Sequence, residues 1–117
     1  MTNIHDLKNE QLKSVALPIW KNIVEAAQEK NYARFSRGFS NDLLAKLDEE
    51  HFRQSCDDYP LLTNIAPDYE IIDSIQRNNG LTILWRLTCT RLPGEFLGQL
   101  TLQSGEKGME ITGVSVS

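Results

Sequence analysis
Cysteine is scarce and unpatterned: Cys56 and Cys89 are the two in 117 residues. They lack Cys-x-x-Cys spacing, and no activating partner stands beside either, so packing is the expected role rather than redox or nucleophilic chemistry. Positive charge is short as well. Twelve Lys and Arg against sixteen Asp and Glu leave a net charge of −4, which argues against nucleic acid or an anionic membrane surface as partner. No apolar run approaches the roughly 20 residues that a spanning helix needs. The stretch from Met1 to Lys13 is polar and carries no secretory apolar core, which makes the cytoplasm the default compartment and free thiols the default for both cysteines. Histidine is limited to His5 and His51. Glu50 and His51 face apart on a helix, Asp48 is better used as a cap, and no third ligand has helical spacing, so no metal is expected. Gly105 and Gly108 open no helix and imply no phosphate cradle. There is no repeat and no low-complexity segment. At this length one domain spanning 1–117 is the expectation.

What is present divides into a helical half and a strand half. From Leu12, apolar residues fall at Val15, Ala16, Ile19, Trp20, Ile23, Val24 and Ala27, which is helical spacing held for about four turns. Pro18 interrupts it and predicts a kink or break near Leu17. Asp6 is a candidate cap for a first turn. Tyr32, Phe35 and Phe39 share a side if their segment is helical, with Gly38 as a stop. Ser40 and Asp48 read as N-caps, each with a hydrophobic staple, of short helices over about Asn41–Leu47 and Glu49–Ser55. Asp57 to Pro67, with two prolines, reads as a loop.

Tyr69 to Ser117 reads as four strands joined by tight turns. Ile83, Trp85, Leu87 and Cys89 alternate with Thr82, Arg86, Thr88 and Thr90, the period of a half-buried strand. A three-residue Asn78-Asn79-Gly80 loop would pair Arg77 with Leu81, Ile75 with Ile83, Asp73 with Trp85 and Ile71 with Leu87, gathering the apolar residues on one face. A Pro93-Gly94 turn would set Leu87 opposite Leu100, Trp85 opposite Leu102 and Cys89 opposite Gly98. A third turn lies in Ser104-Gly105-Glu106-Lys107-Gly108. In the last strand Met109 and Ile111 point one way and Val114 and Val116 the other, unless a bulge near Thr112-Gly113 brings all four to one side.

The segments Asn31-Tyr32-Ala33-Arg34-Phe35 through Phe39, Asp48-Glu49-Glu50-His51-Phe52, and Glu110-Ile111-Thr112-Gly113-Val114 resemble the cystatin-like cone superfamily. That group includes nuclear transport factor two, ketosteroid isomerase and the SnoaL proteins, and the likeness is to small uncharacterised bacterial members. It covers nearly the whole chain as a pattern of element sizes rather than a strict motif. It implies an α+β fold in which N-terminal helices pack on a curled four-stranded antiparallel meander. It also implies a pocket at the wide end of the cone and dimers through the outer sheet face. No catalytic residue or cofactor carries over.

Three functional readings follow. The first is a non-catalytic binding or interaction domain, a homodimer through an outer face of Ile72, Leu84, Arg86, Thr88, Leu97, Gln99 and Thr101, since Leu84 and Leu97 are apolar on a mostly polar face. The second is a pocket for a small apolar ligand, isomerase- or cyclase-like in its enzymatic form, lined by Asp73, Trp85, Tyr69, Tyr32 and Leu87. An aspartate between Ile71 and Ile75 on a dry inner face would have a raised pKa and could act as a base. A protein partner bound through the Asp57–Pro67 loop is a third possibility.

Overall fold
The computed structural model describes residues 9–78, 80–105 and 108–117. The expectations for His5, Asp6, Asn79 and the Glu106-Lys107 tip lie outside the described residues. Helices come first: α1 (Asn9–Gln28), α2 (Tyr32–Phe35), α3 (Asn41–Lys46), α4 (Glu49–Asp58) and α5 (Pro60–Thr63). Four strands follow, β1 (Glu70–Arg77), β2 (Gly80–Thr88), β3 (Glu95–Gly105) and β4 (Gly108–Val116), in the order β1-β2-β3-β4 with every neighbour antiparallel. This is the expected α+β order, a helical layer on one face of an open, curled meander.

α1 runs through Pro18 without a break. Proline costs it one backbone hydrogen bond. Burial of Leu12, Ala16, Trp20, Ile23, Val24 and Ala27 along one stripe offsets that loss. Both inferred caps form: Ser40 Oγ accepts from Leu43 N–H at 3.2 Å, and Asp48 Oδ1 accepts from His51 N–H at 2.9 Å. Asn31 caps α2 in the same way through Arg34 N–H. The segment read as a loop is partly helical, because α4 continues to Asp58 and Pro60 starts α5 at a position where its missing N–H costs nothing.

Arg34 ties α2 back to α1. Its guanidinium donates to Asn22 Oδ1 (2.8 Å), Glu25 (2.7 Å) and Glu29 (2.9 Å), while Asn22 Nδ2 donates to the Arg34 carbonyl (2.9 Å). The helical layer is also stitched to the sheet by backbone. Phe39 bridges Ile111 on β4, and Ile65 bridges Cys89 just beyond β2.

Strand faces match the expected alternation, but registers do not. β2 and β3 place Leu81, Ile83, Trp85, Leu87, Leu100 and Leu102 in the core, yet the pairing lies four residues from the Pro93-Gly94 expectation. Trp85 pairs with Gly98, Leu87 with Phe96 and Ile83 with Leu100. The cause is the pair of tryptophans. Trp20 stacks on Trp85 with centroids 5.0 Å apart and planes 11° apart, and a Cβ on residue 98 would sit 2.7 Å from the Trp20 ring. Only glycine opposite Trp85 leaves room for both indoles. β1 corrects the other register. Arg77 pairs with Gly80, Ile75 with Thr82 and Asp73 with Leu84, then a bulge at Ile72 returns Ile71 to the inner face, opposite Trp85 rather than the expected Leu87. A one-residue slip exchanges faces, so Asp73 and Ile75 lie on the outer side rather than opposite Trp85 and Ile83. Of the two alternatives for β4, the bulged one is present: Thr101 pairs with Gly113 and Leu102 with Ile111. It brings Met109, Ile111, Val114 and Val116 to one face.

Candidate functional site
Three surfaces need weighing: a groove beside β1, a cavity at the end of the helical layer, and the outer face of the sheet. The groove, of about 800 Å³, lies between the first half of α1 and β1 and includes Lys13, Lys21, Tyr69, Glu70, Asp73 and Trp85. It thus gathers three of the five residues expected of a pocket. Tyr32 and Leu87 are elsewhere. Tyr32 donates its hydroxyl to the Leu47 carbonyl at 2.7 Å and packs on Phe52. Leu87 is wholly buried in the core. Asp73 is exposed at the rim, where its Oδ1 accepts from its neighbour Ser74 N–H at 2.8 Å. The desolvated setting that a general base requires is absent from it. Tyr69 packs edge-on against Trp85; burial raises its phenol pKa, and the Glu25 carboxylate adds to that. A phenol held in its neutral form is suited to hydrogen bonding rather than to base catalysis.

The cavity is smaller, about 400 Å³, and more apolar. Ile23 and Ala27 of α1, Phe52 of α4, Leu61 of α5 and Val114 and Val116 of β4 form much of its wall. Its polar margin consists of hydroxyls at Ser55, Tyr59 and Ser115, together with Ser117. Tyr59 supplies the one titratable side chain and is 62% exposed. Such a space can hold an apolar body, and among the described residues its wall has no Asp, Glu, His or Cys side chain to move a proton. Sequence reasoning missed it because α5, which closes one side, was read as loop. Cys56 is buried in the nearby core, where burial pushes its thiol up and away from reactive thiolate.

The outer face holds the expected interface residues in rows. Ile75, Thr82, Thr101 and Gly113 form one; Asp73, Leu84, Gln99 and Ser115 the next; Glu70, Arg86 and Leu97 a third, with Thr88 opposite Glu95 beyond. Arg86 donates to Glu70 at 2.7 Å and to Glu95 at 2.8 Å. These bonds raise its pKa, the one to Glu95 first. Thr82 and Thr101 hydroxyls lie 2.9 Å apart, Arg77 donates to Thr82, and Thr88 donates to Asp68. Against this internally bonded surface, Ile72 at the bulge is 54% exposed and Ile75 is 43% exposed. Ile75 was placed inside by a turn read one residue too long; the register seen here, Arg77 with Gly80, sets it opposite Thr82 on the outer face.

His51 is not a lone ligand candidate. Its Nδ1 lies 2.7 Å from Asp48 Oδ1, and among the described residues no three His, Cys, Asp or Glu side chains group as a metal site. Asp48 has its pKa lowered, first by the bond from His51 N–H and then by the imidazole. A depressed folded-state value means the contribution is complete above the ordinary aspartate range and is lost as pH falls through that range. We expect Asp48→Asn to flatten the acid limb of a stability-against-pH curve below about pH 4, read from urea midpoints. An unchanged acid limb would count against the cap.

No protein-family model and no curated protein matches the chain. Solved structures do. An NTF-2-like protein of unknown function from Shewanella oneidensis aligns with a TM-score of 0.60 at 13% identity, over 90% of this chain and 98% of its own. RPA3114, a SEC-C motif containing protein from Rhodopseudomonas palustris, aligns at 0.52 with 7% identity, over 90% and 91%. At these identities the likeness concerns fold alone. The chain has the NTF-2-like α+β cone fold, helices packed on a curled four-stranded antiparallel sheet.

Proposed function
We propose that this is a non-catalytic binding domain that self-associates through the outer face of its sheet. The observation that carries the reading is Ile75, open to solvent on a face whose central charge, Arg86, is already neutralised from both sides, with Ile72 exposed at the neighbouring bulge. Around them Thr82, Thr101 and Arg86 are bonded within the face, and Asp73 is the exposed carboxylate that a second sheet would have to pair or leave at its margin. Leu84 and Leu97 extend the apolar part across β2 and β3. A two-fold axis places the same patch on both partners. Sedimentation is expected to show a dimer for the wild type, and Leu84→Glu is expected to weaken it at least about tenfold, the equivalent of 1.4 kcal/mol. A wild type that stays monomeric at high micromolar concentration would remove this reading.

The apolar cavity favours a second reading, a small uncharged apolar ligand. An environment-sensitive apolar dye is expected to bind with one-to-one stoichiometry and to be excluded by Ala27→Phe, which fills the space from α1. Dye binding that Ala27→Phe leaves untouched would place the ligand elsewhere.

A further inference from the structure
In a chain of net charge −4, the groove between α1 and β1 is a place where positive charge is left over. Three carboxylates stand on it or near it. Glu25, whose charge is felt at Tyr69, is held by Arg34 at 2.7 Å, and Glu70 is held by Arg86 at 2.7 Å. Asp73 stands exposed at the rim. Facing them from α1 are Lys13 and Lys21, both exposed, and among the described residues neither has an ion-pair partner. They lie on one side of α1, roughly 12 Å apart along its axis. Their flexible four-carbon stems can converge on one anion.

We propose that this groove binds an aromatic carboxylate, with the acid group between Lys13 and Lys21 and the ring against Tyr69. The charge of the ligand follows from the donors. Lys13, Lys21 and the Trp85 indole can only donate, and the Trp85 Nε1–H is buried with no partner among the described residues. The polar end of the ligand must therefore accept. A carboxylate does so, and it accepts more strongly than a neutral carbonyl. The Tyr69 hydroxyl, kept neutral by burial, is a further donor beside it. A cationic ligand would meet two ammonium groups and gain only Asp73. The ring follows from the floor. Tyr69 is half-buried and packs edge-on against Trp85, with centroids 5.9 Å apart and planes 81° apart, and Leu17 and Ile71 continue the wall with apolar side chains. A flat ring gains from such an aromatic neighbour. The volume, about 800 Å³, admits two fused rings and a short acid arm.

The site is separate from the apolar cavity, whose wall from α1 is Ile23 and Ala27, so binding here and binding there fail independently. The test titrates the full chain at low ionic strength with 1-naphthylacetate, its neutral amide and 1-naphthylmethylamine, followed by backbone amide spectra. The carboxylate is expected to bind saturably and at least about tenfold more tightly than the amide, with the largest shifts at Lys21, Tyr69 and Ile71. The double variant Lys13→Gln with Lys21→Gln changes only exposed side chains. It is expected to bring the carboxylate down to the affinity of the amide and to leave the amide unchanged. Asp73→Asn is expected to leave the carboxylate bound as tightly or more tightly, and added salt to narrow its advantage. A carboxylate that binds no better than the amide, an amine that binds better than the carboxylate, a double lysine variant that keeps the preference, weaker carboxylate binding in Asp73→Asn, or shifts confined to Phe52 and Leu61 at the cavity would each overturn the proposal.

Discussion
Gly98→Ala is expected to cost about 3 kcal/mol, the upper end of what overpacking by one methyl group does. The added Cβ would stand 2.7 and 2.8 Å from two carbons of the Trp20 six-membered ring and 3.1 Å from a Leu87 methyl. Trp20 cannot retreat, because it is wholly buried and stacked on Trp85. Gly98 cannot move outward without pulling β3 off Trp85 on one side and Val116 on the other. A double-mutant cycle makes the cause specific. Phenylalanine at position 20 lacks the two ring carbons that clash, so Gly98→Ala in a Trp20→Phe background should cost at least about 1 kcal/mol less than in the wild type. Urea midpoints with unchanged slopes supply the measurement. A cost below about 0.5 kcal/mol for Gly98→Ala alone would mean that the two indoles are not wedged against this strand.

The same crowding explains what could be read from the sequence and what could not. Residue spacing revealed the α1 stripe, the Ser40 and Asp48 caps, and the inner and outer faces of β2 and β3, because each is encoded within a few neighbours, while the β4 bulge stood only as one of two alternatives. The β2–β3 register is not local. Pro93-Gly94 offers a tight turn, but the chain instead spends 89–94 on a wider connection, clipped at Cys89 by the Ile65 bridge. Gly98 then reaches the position opposite Trp85. That choice depends on Trp20, far away in sequence. The β1 register was equally hidden. A turn one residue shorter than read sets Asp73 and Ile75 on the outer face, and the bulge at Ile72, between residues with no glycine or proline to mark it, then returns Ile71 inward. The candidate site suffered most from this single residue: an aspartate read as a buried base stands in water, and an isoleucine read as core stands on the surface. The groove still gathered Tyr69, Asp73 and Trp85, because they neighbour one another in either register.

Trp20→Ala is expected to remove about 4 kcal/mol, in the range for deleting a buried indole. In a domain whose whole stability is roughly 5–15 kcal/mol, that leaves little margin. The side chain is fully buried, stacks on Trp85 and fills the space above Gly98. Its removal deprives α1 of its largest contact with the sheet. Trp20→Phe should behave very differently. The Nε1–H groups of Trp20 and Trp85 are both buried without a hydrogen-bond partner among the described residues, and an unsatisfied buried donor costs about 1–3 kcal/mol. Phenylalanine discards one such donor while keeping most of the stacking area, so its net cost should stay below about 1.5 kcal/mol despite the smaller ring. The contrast between the two substitutions is the informative quantity. Equal losses for alanine and phenylalanine would mean that the Trp20 indole N–H is satisfied and that its polarity, not its volume, holds the helix to the sheet.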